Sequence, residues 1–134
     1  MKFLLDTNMC IYLIKKKPLQ VLEKFNDYSV GEIGVSSITV AELQYGVEKS
    51  QRLAQNRRAL RQFLIPLVIA DFDERAAEAY GKTRAALEAQ GTPIGALDTL
   101  IAAHALCLGL TLVTNNTSEF SRVADLRLAN WAEI

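Results

Sequence analysis

Asp6, Glu42 and Asp98 stand among apolar or small neighbours rather than on obviously polar faces. Asp6 closes the stretch FLLDTN; Glu42 lies in SSITVAELQYG between Ala41 and Leu43; Asp98 follows Ala96 and Leu97 in GTPIGALDTLIAAHA. Burying an ionised carboxylate without a partner is costly, so each must reach water, cap a helix or hold a cation. Capping accounts for each singly. Asp6 precedes a helix starting at Asn8, Glu42 follows Thr39 at the three-residue spacing of a capping box, and Asp98 near a helix start gains from the helix dipole. Such contacts are worth about 0.5 to 2 kcal/mol apiece. The other reading brings all three to one cleft. Close carboxylates repel, and an all-oxygen set is compensated best by a hard cation such as Mg²⁺ or Mn²⁺. No thiolate or imidazole stands at a spacing that favours zinc. Carboxylate-held ions of this kind activate water against a phosphodiester, so the implied chemistry is metal-dependent phosphodiester hydrolysis. Spacing alone leaves capping and metal binding both open.

A second polar stretch, VTNNTSEF, carries Thr114, Asn115, Asn116 and Glu119. After a strand, these side chains can orient a metal's water or simply make a turn, for which Asn-Asn is an ordinary pair. His104, the single histidine, lies six residues after Asp98, which turns it away from that carboxylate on a helix; a structural histidine is the favoured reading. Arg52, Arg57, Arg58 and Arg61 read as a solvated helix face, and otherwise, with Lys15 to Lys17, as local patches for phosphates. Tyr12, Phe25, Phe72, Tyr80 and Trp131 read as core or interface residues, and Tyr45 is a weak candidate for base stacking.

The elements that must position these residues alternate. Short apolar runs at Phe3 to Leu5, Gly31 to Val35, Leu67 to Ile69, Leu110 to Val113 and Leu126 to Leu128 read as strands. Between them, helices are expected over Asn8 to Lys15, Pro18 to Phe25, Ile38 to Val47, Gln51 to Leu64, Glu74 to Ala89 and Ala96 to Leu108, with Pro18, Pro66 and Gly109 as stops. Parallel neighbours need crossover connections, so this alternation predicts a three-layer α/β fold with a parallel sheet of about five strands. The strands lack in/out alternation, as expected when both faces are covered. Ligands of such sheets bind beyond the carboxyl ends of the strands, which is where Asp6 falls.

At 134 residues, half of them apolar, the chain is expected to form one domain over residues 1–134. Fifteen basic residues balance 15 acidic ones, so no overall field draws it to nucleic acid or membrane. Cys10 and Cys107 form no CxxC pair and read as core thiols of a reducing, cytoplasmic protein. The N-terminal apolar run is too short for a signal peptide, so Met1 is read as the mature start, and Leu100 to Val113 falls short of a membrane span.

LLDTN, SSITVAEL with the following YG, GTPIGALDTLIAAHA, VTNNTSEF and the closing LRLANW, in this order, resemble the PIN-domain ribonucleases and, among them, the VapC toxins of VapBC toxin–antitoxin modules. The resemblance runs almost end to end. It implies a PIN-domain fold, with Asp6, Glu42 and Asp98 ligating Mg²⁺ or Mn²⁺. The place where many members carry a fourth acid holds Asn116, with Glu119 nearby, so a second metal is in question. Thr7 and Thr114 match hydroxyl positions beside the acids, and Asn8 and Asn115 neighbour them; Thr114 and Asn116 join the three acids as candidate catalytic residues. The implied protein is a growth-arresting endoribonuclease whose favoured target is the anticodon loop of initiator tRNA. A VapB-type antitoxin would inhibit it, often with an arginine in the acidic pocket. The toxin would be a homodimer, in some cases within a larger toxin–antitoxin assembly, and would meet operator DNA only through the antitoxin. Two rivals differ in class. A catalytically silent binding module would not need all three acids. A haloacid dehalogenase-like phosphatase would need a second carboxylate two residues after Asp6, where Asn8 stands.

Overall fold

A computed structural model describes residues 1–133. Its strands are β1 (Phe3–Leu5), β2 (Ile33–Ser36), β3 (Val68–Ala70), β4 (Thr111–Val113) and β5 (Leu128–Ala129). Its helices are α1 (Thr7–Lys15), α2 (Leu19–Asn26), α3 (Ser37–Glu48), α4 (Leu53–Leu64), α5 (Glu74–Ala89), α6 (Ala96–Leu108) and α7 (Thr117–Phe120). The five strands form one parallel sheet in the order β3-β2-β1-β4-β5, as the alternation of elements predicts. From β1 the chain builds outward through β2 and β3, then returns to the other side of β1 for β4 and β5. The topological switch therefore lies between the carboxyl ends of β1 and β4, where Asp6 and Thr114 follow their strands.

Strand parity sorts the core. Leu4 faces Leu112 across the β1–β4 pair and both join a cluster with Leu87, Ile101, Ala102, Ala105 and Phe120, under α5 and α6. Leu5 and Val113 point the other way, with Ile33, Val35, Met9, Leu13, Leu43, Val47 and Leu60, under α1, α3 and α4. Both faces are thus covered, which is why the strands read as continuous apolar runs. Trp131 is buried in the second cluster, stacked on Tyr28 with Phe3 edge-on. Phe72 packs edge-on to His104, whereas Tyr80, expected inside, is half-buried, and its hydroxyl accepts from the exposed Arg84.

Local boundaries differ in physically legible ways. α1 ends before Pro18, because Lys16 adopts a left-handed conformation (φ 59°) and its N–H returns to carbonyls of the last turn. α3 starts one residue earlier than expected: Ser36 is its cap, its hydroxyl accepting from Ile38 N–H at 3.1 Å. Thr39 is therefore inside the helix and not part of a capping box with Glu42, and its buried hydroxyl has no partner. The Asn115-Asn116 turn leads directly into the short α7, a single turn too brief to show periodicity in the sequence. Among the described residues no helix is long and apolar enough to cross a membrane. Both cysteines are free; Cys10 is buried, as expected, while Cys107 is half-buried.

Gly34 sits in the middle of β2, between β1 and β3. A Cβ there would lie 2.8 Å from the Val68 carbonyl of the paired strand and 2.4 Å from Met1 Sδ. The methionine can move, but the carbonyl cannot without opening the ladder. Gly34→Ala is expected to cost about 1–3 kcal/mol, read as a lower urea midpoint with an unchanged slope.

Candidate functional site

The site grows from the end of β1. Asp6 follows the last strand residue, is 5% exposed, and its Oδ1 accepts from Met9 N–H at 2.8 Å, so the side chain caps α1. The capping reading of Asp6 is correct, and it is not exclusive. Burial pushes its carboxyl above the usual range; hydrogen bonds from Thr114 and Met9 N–H oppose this, and the charge of Glu42 adds to the rise. Asp6 thus feels Glu42, which arrives on α3 from beyond β2. The hydroxyl of Thr7, next in chain to Asp6, donates to Glu42 Oε1 at 2.7 Å and ties the two elements together.

Asp98 enters from the first turn of α6, half-buried. Its carboxyl is pushed up to about 6, first by burial, then by Glu119 through charge and a shared hydrogen bond, then by the charges of Asp6 and Glu42. Glu119 moves the opposite way: Asn116 Nδ2 donates to its Oε2 at 2.7 Å and Gly95 N–H to its Oε1 at 3.3 Å, which favours the ionised form and leaves the proton of the pair on Asp98. The position expected to carry an acid therefore carries the amide that holds one. Asn116 caps α7 and Glu119 lies three residues on, the spacing of a capping box; that spacing in NNTSE is the signal from which the pair was readable.

Thr114 is fully buried at the end of β4, bonded to Asp6 and accepting from Asn116 N–H at 2.9 Å. Asn115 points elsewhere: its amide donates to the Tyr12 hydroxyl at 3.2 Å and its carbonyl oxygen accepts from Asn130. Asn8 is exposed on α1. His104 is buried at 1% exposure, away from the acids, and burial lowers its pKa. The Arg52, Arg57, Arg58 and Arg61 set lies on the exposed face of α4, with Arg57 paired to Glu48 at 2.7 Å. Tyr45 is 67% exposed one turn beyond Glu42, with Lys49 Nζ 4.9 Å from its ring centre.

The charge of Glu42 thus acts on Asp6, those of Asp6, Glu42 and Glu119 act on Asp98, and the four acids converge on the switch between β1 and β4. Among the described residues, no three His, Cys, Asp or Glu side chains stand close enough to enclose an ion in this conformation. The donor chemistry nevertheless fits a hard divalent cation: the oxygens are carboxylate, amide and hydroxyl, and Asp6 and Asp98, whose pKa values burial raises first and neighbouring acids raise further, have no cation beside them among the described residues.

The family model for the PIN domain matches residues 3–126. The chain is 46% identical over 132 residues to the tRNA(fMet)-specific endonuclease VapC of Shigella flexneri, covering 98% of this chain and 99% of that one. It is 48% identical over 131 residues to ribonuclease VapC2 of Haemophilus influenzae, with 98% of each covered. The chain belongs to the VapC ribonucleases of the PIN-domain family. The fold agrees: the crystal structure of VapBC2 from Rickettsia felis, bound to a DNA fragment from its promoter, superposes with a TM-score of 0.92 at 44% identity, covering 98% of this chain and 99% of that one. As a member of this family the chain is a nuclease that uses a divalent metal ion.

Asp98 also fixes the sign of a stability effect. Its folded pKa, about 6, lies above its ordinary value of 3.8, so the folded state binds the extra proton and stability is lost as pH rises from about 4 to about 6. Asp98→Asn removes this loss. In metal-free protein at pH 7.5 it is expected to raise unfolding stability by about 1 kcal/mol, after discount for the solvent at this half-buried site. Urea titrations of both proteins across pH 4 to 7.5 check it.

Proposed function

We propose that this chain is the toxin of a VapB–VapC pair, a Mg²⁺- or Mn²⁺-dependent endoribonuclease whose site is built from Asp6, Glu42, Asp98 and Glu119. The observation that carries the reading is the convergence of four carboxylates, from β1, α3, α6 and α7, on the topological switch of the sheet. Asp6, Glu42 and Asp98 would hold the metal. Glu119 completes the acidic set in place of an acid at Asn116. A cation bound there supplies the missing positive charge and the Lewis acidity that makes water a nucleophile toward a phosphodiester.

The chain's own residues do the rest. Asp6 is fixed by the Met9 N–H and by Thr114, so its carboxylate is aimed without a search over rotamers. Thr7 fixes Glu42 in the same way. Asn116 and the Gly95 N–H hold Glu119 ionised against Asp98, and the pair keeps one proton between them at mildly acidic pH. Thr114 and Asn116 therefore act by orienting acids and not by touching the reacting atoms.

The favoured substrate is initiator tRNA, cut in the anticodon loop; the support is that relatives from Shigella flexneri and Salmonella typhimurium are named as tRNA(fMet)-specific endonucleases. A VapB-type antitoxin is the proposed inhibitor, since the similar solved structures are VapBC complexes, and contact with operator DNA would run through it. An arginine from that partner would form bidentate, charge-assisted bonds in the acidic site and exclude the cation. The toxin is proposed to work in the cytoplasm as a homodimer.

The test is end-mapped cleavage of total tRNA by wild type, Asp6→Asn and Glu119→Gln, with Mg²⁺, with Mn²⁺ and with EDTA. Asn at position 6 keeps an oxygen for the Met9 N–H, so the cap survives while the charge is lost. Wild type should cut only with metal, Asp6→Asn should fall to background, and Glu119→Gln should lose about 10- to 100-fold. Undiminished cutting by Asp6→Asn, or cutting in EDTA, would refute the site. Failure of wild type to cut any RNA would favour the silent binding module.

A further inference from the structure

His104 and Ser36 form a buried hydrogen bond that the acidic site does not itself contain. His104 Nδ1 lies 2.8 Å from Ser36 Oγ, with the two residues 1% and 0% exposed. The direction of the bond follows from its neighbours. Ser36 Oγ accepts from Ile38 N–H, and the ring also donates to the Asp71 backbone carbonyl, which takes the Nε2 proton and leaves Nδ1 to accept from Ser36. Phe72 covers the ring edge-on, and the Phe72 N–H donates to Ser37 Oγ at 3.0 Å, pinning the start of α3 a second time.

The place of this bond matters more than its energy. α3 carries Glu42 and packs Leu43 and Val47 into the cluster on one face of the sheet. α6 carries Asp98 and packs Ile101, Ala102 and Ala105 into the cluster on the other. The two carriers pack mainly on opposite faces and meet only at the start of α3, where Ile38 reaches the cluster under α6. Parity supplies the link: Ile33 and Val35 of β2 face the α3 side, so Gly34 and Ser36 face the α6 side, and Ser36 is also the residue that starts α3. Among the described residues no other hydrogen bond joins the β2–α3 segment to α6. α6 is held chiefly by its packing on α5 and by Ile101, with alanines on much of its buried face. Glu42 and Asp98 each lie six residues from the contact, about 9 Å of helix.

We propose that the Ser36–His104 hydrogen bond sets the spacing between α3 and α6, and so between Glu42 and Asp98, making His104 a positioning residue for the acidic site. The inference rests on the metal-dependent nuclease reading for its consequence, although the spacing itself is independent of that reading. A buried polar pair of this kind specifies geometry more than it adds stability.

The test compares wild type with His104→Leu, Ser36→Ala and His104→Gln, whose side-chain oxygen can still accept from Ser36. Two readouts are taken on each purified protein beside its thermal melt. Mn²⁺ binding, from the EPR signal of the free ion, should weaken about tenfold in His104→Leu and Ser36→Ala and recover in His104→Gln; kcat for RNA should follow it with KM little changed. Nitroxides at Gln44→Cys and Leu97→Cys, both exposed positions, in a Cys107→Ser background, should give a broader or shifted distance in the same two variants and the wild-type distance in His104→Gln. A lower melting temperature with unchanged distance and unchanged Mn²⁺ affinity would overturn the proposal and leave the pair a stability contact only. If wild type binds no Mn²⁺, the metal reading fails and the spin-label distance alone decides: a change in His104→Leu or Ser36→Ala supports the proposal, and no change in either refutes it.

Discussion

Mutual repulsion among Asp6, Glu42, Asp98 and Glu119 is the constraint to which the rest of this molecule answers. Four carboxylates drawn from four elements are gathered at the strand ends, with Asp98 in the field of the other three and Asp6 in that of Glu42. Three of them are restrained by neutral neighbours: Met9 N–H and Thr114 for Asp6, Thr7 for Glu42, Asn116 and Gly95 N–H for Glu119, which alone also feels a cation, Arg122. None of the protein's own ion pairs among the described residues touches this group. A lysine or arginine in its midst would quiet the repulsion and occupy the place a metal needs. The site is left short of positive charge, a condition that the proposed divalent ion would relieve.

The scaffold makes such a cluster bearable by burying apolar surface elsewhere. Leu4, Leu5, Leu112 and Val113, all fully buried in the central strands, feed two separate cores, so the strands bearing Asp6 and Thr114 are the most constrained part of the fold. Glu42 and Asp98, by contrast, ride on helices whose placement depends on contacts at the strand ends. Asp6 thus stands at a fully buried strand end, whereas Glu119 stands on the four-residue α7.

Much of this was legible in the sequence, and the failures are local. The apolar runs without alternation gave a buried parallel sheet, and the position of Asp6 after the first run gave the site, because both follow from how strands and crossovers must be arranged. Opposing the capping and metal readings of Asp6 was the false step, since one carboxyl has oxygens enough to cap a helix and still face the cleft. Thr39 failed as a cap because Ser36 lies nearer the end of β2 and captures the helix start first. Asn116 looked like a lost acid, and it is an anchor for Glu119, a relation set by a helix too short to announce itself through periodicity. The Ser36–His104 bond spans 68 positions and left no trace in local spacing.

The double duty of Asp6 bears on how such genes decay. If the proposed metal site is right, an allele that keeps the oxygen for Met9 but loses the charge would yield a protein that folds and is inert. A neutral residue at Asp98 would go further, since it would also lift the cost of ionising that half-buried carboxyl. Where selection for toxicity lapses, drift should accumulate well-folded inert copies before it accumulates broken ones. Abundance of the protein in a cell is then a poor guide to whether the lineage still carries a working poison.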